Sequence, residues 1–159
     1  MVQQAGIGGA LPSEFKVPRK MRLMSRHIHD VLKSNPSCTS IDLDVEPYFL
    51  NIIIGYCQLY DYLKVMSTIM FPAAHNELQY NVTILELQAI DAIQHDLESL
   101  KKLLHYCKYL NIEALYELTA CAIACYFKMR SYSHFSQMFP NNRGAYLSPE
   151  HTERQEAMF

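Results

Sequence analysis

The chain has 159 residues, 50% of them hydrophobic and 19% charged, with 16 acids against 14 Lys and Arg for a net charge of −2. A chain of that size is one domain by default and can bury roughly 70% of its unfolded surface, while its charge provides no basic field for a phosphate backbone and so argues against nucleic acid. The longest apolar stretches, YFLNIIIGY and TACAIACYF, are interrupted well short of the ~20 residues a membrane span needs, and Met1 to Ala10 lacks the charged start and apolar centre of a secretory signal. A cytoplasmic or nuclear protein without membrane contact is the expectation.

In chain order, Gly6, Gly8 and Gly9 read as a turn expected between two short strands, the second carrying Phe15 and Val17 around Lys16. No Gly-Lys-Ser/Thr follows, so the glycines do not read as a phosphate cradle. Pro18 suits the first turn of a helix, and Met21, Met24, Ile28, Val31 and Leu32 continue it at helical spacing until Asn35-Pro36. Ile41 and Leu43 alternate with Asp42 and Asp44 as a short strand. From Glu46-Pro47, the residues Phe49, Leu50, Ile53, Ile54 and Cys57 predict a largely buried helix.

Between Lys64 and Val82 the pattern is lost, leaving an apolar loop with Met66, Ile69, Met70, Phe71-Pro72 and Tyr80, either a contact surface or packed on the domain. Leu97, Leu100, Leu103, Leu104, Cys107 and Leu110 then predict one amphipathic helix, and Leu115, Leu118, Cys121, Ala122 and Cys125 a second. Asn111 at the join tolerates the left-handed conformation of a helix end. Near the end, Ser148-Pro149-Glu150 reads as a helix start and the helix would finish with Met158 and Phe159.

Chemistry is not signalled. The chain has no G-x-S-x-G, H-E-x-x-H or Walker loop, so a non-enzymatic binding module is expected, without cofactor. Five cysteines, an odd number without C-x-x-C, read as small buried thiols. Cys121 and Cys125 share a helical face, but no further ligands at finger-like spacing complete a metal site. His27 and His29 are two apart and point away from each other, as on a solvated helix face.

The string YCKYLNIEALYELT, Tyr106 to Thr119, resembles the C-terminal half of the Skp adaptor family of cullin ubiquitin ligases. Tyr109, Leu110, Ile112, Leu115 and Thr119 stand in register with the family's N-Y-L-D-I motif and the helix after it, and Phe135, Phe139 and Asn141 fall in its later segment. Ser25, Ile28 and Leu32 fit the family's early helix, and IIIGYC, Ile52 to Cys57, its V-I-x-W-C helix with Tyr56 for tryptophan. Elongin C is a near relative of that family, but the two helices and Phe-containing tail beyond Thr119 favour the Skp adaptors. The resemblance implies an α+β BTB/POZ fold, short strands covered by helices, with additional C-terminal helices. Residues 1–96 would form the core, including the loop 64–82, and 97–159 would complete it and present a binding surface. Skp adaptors commonly carry a long acidic insertion in that loop, whereas here Glu77 is its only acid.

Two surfaces follow from the resemblance. One grips the helices of an F-box protein and maps to Ile123, Phe127, Phe135 and Phe139, with Met158 and Phe159 in place of the family's terminal aromatic. The other meets a cullin through an Asn-Tyr pair; here Tyr109 is kept and Lys108 replaces the asparagine, and an unpaired ammonium is costly to desolvate in a packed contact. The leading expectation is an adaptor joining an F-box protein to a cullin. The alternatives are a structural Skp-like subunit of a non-ligase complex that has lost cullin binding, and a self-assembling BTB-type scaffold using the early helices and the apolar loop.

Overall fold

Three short strands and five α-helices make a mostly helical α+β fold in the computed structural model, which describes residues 2–4 and 14–130. Strand β1 (Val2–Gln4) lies between β2 (Glu14–Phe15) and β3 (Ile41–Leu43), antiparallel to the first and parallel to the second. The register sets Val2 opposite both Phe15 and Ile41. In β3, Ile41 and Leu43 are buried on either side of exposed Asp42, the period-2 alternation of a strand with one covered face.

The helix expected from Pro18 to Lys33 is two elements. Pro18 opens a 3₁₀ turn, Arg19–Leu23, and α1 begins afresh at Arg26 and runs to Ser34. Ser25 makes the break. Its backbone is extended, its hydroxyl oxygen accepts from the Ile28 N–H at 3.3 Å, and the same hydroxyl donates to the Leu110 carbonyl at 2.6 Å. With the side chain 0% exposed, both bonds are needed to satisfy a buried polar group. The periodic apolar residues on either side of Ser25 give no sign of the break, because its cause lies 85 residues away.

Helix α2 (Pro47–Leu59) starts with proline at a position whose N–H has no helical acceptor anyway. It buries Phe49, Leu50, Ile53, Ile54, Tyr56 and Cys57, so most of its circumference faces protein. It ends through two residues of positive φ, Asp61 and Tyr62, whose N–H groups donate to Gln58 and Cys57 carbonyls at 3.0 and 2.8 Å. That is the paired closure of a Schellman motif. Burial of the Tyr62 side chain offsets the cost of placing a bulky residue in the left-handed region.

Short α3 (Ile84–Ile90) carries a full capping box, with Thr83 and Glu86 exchanging side-chain and backbone bonds. Asp96 caps α4 (Leu97–Leu110), and α5 follows as Glu113–Lys128. Leu97, Leu100, Leu103, Cys107 and Leu110 of α4 and Leu115, Leu118, Cys121 and Cys125 of α5 are all buried, as their spacing predicts; Leu104 is half-buried at the stripe's edge. Each such leucine withdrawn from water contributes about 1.5–3 kcal/mol.

Between α2 and α3 the apolar loop contains a 3₁₀ turn, Leu78–Tyr80, and a clamp built on Asn81. The Asn81 amide donates to the His75 and Glu77 carbonyls, each at 2.9 Å, and accepts the His75 N–H at 3.0 Å. The chain divides into two compact units, Met1–Tyr126 and Phe127–Phe159. The first holds the strands, α1 to α4 and most of α5. Of the second, the described residues are 127–130, the end of α5 and the turn after it.

Candidate interaction surfaces

The join between α4 and α5 is held by bonds from its own backbone and from α1. Asn111 adopts φ 52° and ψ 60°, as its position at the end of a periodic helix predicts. Its N–H donates to the Lys108 carbonyl at 3.2 Å and the Ile112 N–H to the Cys107 carbonyl at 3.0 Å. This pair closes α4 as a second Schellman motif, with Ile112 buried beneath it. Helix α1 fixes the join from outside, through the Ser25 hydroxyl on Leu110 and the Arg26 N–H donating to the Asn111 carbonyl at 3.3 Å.

Lys108 and Tyr109 stand on the last turn of α4, directly before this closure. Tyr109 is 37% exposed, and its ring lies against His27 of α1 with centroids 4.8 Å apart. Lys108 is exposed and has no ion pair among the described residues. The expected solvated face holds for exposed His29, but His27 is half-buried because it shelters one side of Tyr109. Of the two residues that brace this surface, Ser25 is marked in sequence only by its place in the early helix of the resemblance and His27 by nothing local, because each acts through a partner on α4.

Of the residues assigned to the other surface, Ile123 and Phe127 lie four positions apart in α5, and both are half-buried. Ile123 packs partly against the core, so the fold itself uses some of its side chain. Phe135, Phe139, Met158 and Phe159, together with the helix expected from Ser148, lie outside the described residues.

The loop divides between the two roles considered for it. Val65 and Ile69 are half-buried and Ala73 and Leu78 buried, whereas Met66, Met70 and Phe71 are 84%, 78% and 52% exposed. Packing holds the segment down while its alternate side chains face outward.

The cysteines are packing groups. No disulfide links them, and Cys57, Cys107, Cys121 and Cys125 are buried. Burial pushes the Cys57 thiol up to about 12 and raises Cys107 as well, keeping both protonated and unreactive. Among the described residues no three His, Cys, Asp or Glu side chains gather as a metal site, and no helix is long and apolar enough to cross a membrane. In comparisons with known proteins, no protein-family model and no curated sequence matches the chain.

Proposed function

We propose that this chain is a non-catalytic adaptor of the Skp type, with a BTB/POZ fold extended by C-terminal helices. It would hold an F-box protein through Ile123, Phe127, Phe135, Phe139, Met158 and Phe159, and a cullin through the surface around Tyr109. The carrying observation is how the residues of the motif divide. Leu110, Ile112, Leu115 and Thr119 are buried, while Tyr109 beside them keeps its ring at the surface, braced by His27. Residues kept for the fold point inward and the residue kept for a partner faces out, as an adaptor requires. The burial of Ser25, Ile28 and Tyr56 at further positions of the resemblance supports the same reading. Such a protein works by proximity, holding a substrate-bearing partner near a conjugating enzyme in the cytoplasm or nucleus.

One observation favours a second reading. Exposed, unpaired Lys108 beside Tyr109 would be desolvated in a packed contact unless the cullin supplies an acid. A structural Skp-like subunit outside any ligase accommodates that lysine without cost. Self-assembly through the outward Met66, Met70 and Phe71 is a lesser third, and light scattering across a concentration series that returns a monomer removes it.

Pull-down from native extract separates the first two. The adaptor reading expects F-box proteins and a cullin together. Recovery of F-box proteins without any cullin, unchanged in Lys108→Asn, would leave the structural-subunit reading in its place.

A further inference from the structure

A cleft of about 390 Å³ lies against the α4–α5 join, walled by the Arg19–Leu23 turn, the start of α1, residues 64–65 after α2 and the first turn of α5. Three permanent cations line it from three separate segments: Arg22 from the turn, Arg26 from α1 and Lys64 from the connection after α2, with the His29 imidazole beside them. Among the described residues Arg22 and Lys64 have no ion-pair partner, and Arg26 pairs with Asp30, Nε to carboxylate at 3.6 Å. The lining holds one acid, Glu113. With Asp30 beside Arg26 the cleft sets three cations against two acids, a local positive excess in a chain of net charge −2.

The backbone at this cleft adds donors of the same sense. Helices α1, α3 and α4 begin with the side-chain caps Ser25, Thr83 and Asp96, whereas α5, like α2, starts without one, and the Ile112 side chain before it has no oxygen to accept an N–H. The N–H groups of Glu113 and Ala114, both in the cleft lining, have no acceptor among the described residues. Like charges held together repel, and a bound anion relieves that repulsion while satisfying the open N–H groups. Two guanidinium forks with an ammonium suit the several oxygens and double charge of a phosphate better than a single carboxylate. The volume leaves room for the organic group that bears it.

We propose that this cleft binds a phosphate monoester, its phosphoryl group held by Arg22, Arg26 and Lys64 against the first turn of α5. The site stands whether or not the protein is an adaptor, since none of its residues belongs to the two surfaces assigned above. The ester is either a phosphorylated side chain of another protein or a small organic phosphate; both present the same headgroup.

Amide NMR titrations of the full chain with inorganic phosphate, free phosphoserine, a phosphoserine peptide and its glutamate counterpart test the assignment. The expected result is saturable shifts of the Glu113 and Ala114 amides with the phosphate probes. Affinity should fall about tenfold or more in the Arg22→Gln, Lys64→Gln double variant, rise in Glu113→Gln, and stay unchanged in Lys33→Gln, which removes a cation elsewhere on α1. A phosphopeptide binding far more tightly than phosphoserine assigns the site to a phosphoprotein; equal affinities assign it to a small organic phosphate. The proposal is overturned if those amides do not move, if the double variant binds as well as the parent, or if the glutamate peptide binds as tightly as the phosphopeptide. The substituted side chains are exposed, so the variants keep their fold.

Discussion

The α4–α5 join and the connection from Tyr60 to Thr83 are both rich in large apolar residues, yet they meet opposite ends. At the join, the end of α4 satisfies its carbonyls through the Asn111 and Ile112 N–H groups, one left-handed asparagine reverses the chain, and Leu110, Ile112 and Leu115 are buried. In the connection no periodic element organises Met66, Met70 and Phe71, and they stand in solvent while Val65 and Ile69 turn partly inward. Apolar content alone therefore does not decide burial. A segment buries a full face only when its backbone hydrogen bonds are settled in the same geometry that aligns its side chains.

Substitutions in the two regions should expose that difference, beginning with the largest. Leu103→Ala, at a fully buried α4 position, should cost about 2–5 kcal/mol in urea unfolding. Ser25→Ala should cost about 1–3 kcal/mol, because it removes the α1 cap and leaves the Leu110 carbonyl without its hydroxyl donor. It should also loosen the His27–Tyr109 stack, visible as altered ring shifts in NMR. In the connection, Asn81→Ala should cost about 1 kcal/mol and speed hydrogen exchange at the His75 amide, which donates to the Asn81 side chain. Smallest of all, the Met66→Ser, Met70→Ser double variant should change stability by less than about 0.5 kcal/mol. A larger loss there would mean that the two side chains pack against something in solution, and the contrast between the regions would fail.

Several elements are legible in the amino-acid order because their causes are local. Ile41 and Leu43 alternate, Pro47 opens α2, and the leucines of α4 recur every three or four residues, so each element announces itself within its own length. Asn111 can be placed in the left-handed region because a residue tolerant of it stands where the apolar stripe is interrupted. Tyr62 cannot, since a tyrosine there is held by burial rather than by its own preference. Nor can the break at Ser25, where apolar residues continue at helical spacing on both sides.

The candidate surfaces are less legible than the helices that carry them. Tyr109 and Lys108 stand out through the pattern around them, but the brace from His27 and the tie from Ser25 exist only once α1 is laid beside the end of α4. The phosphate cleft is the extreme case. Arg22, Arg26, Lys64 and Glu113 are spread over 92 positions of a chain with a slight negative charge, and nothing in their order sets them together.

Amino-acid order alone settles α2, α4 and α5, the strand Ile41–Leu43 and the left-handed turn at Asn111, because hydrogen bonding and side-chain period act over one or two turns of chain. Tertiary packing decides where α1 begins, which face of Tyr109 is sheltered, which methionines stay in water and which cations share a cleft. Those outcomes depend on groups tens of residues apart coming within a few ångströms, a proximity that no short stretch of chain encodes.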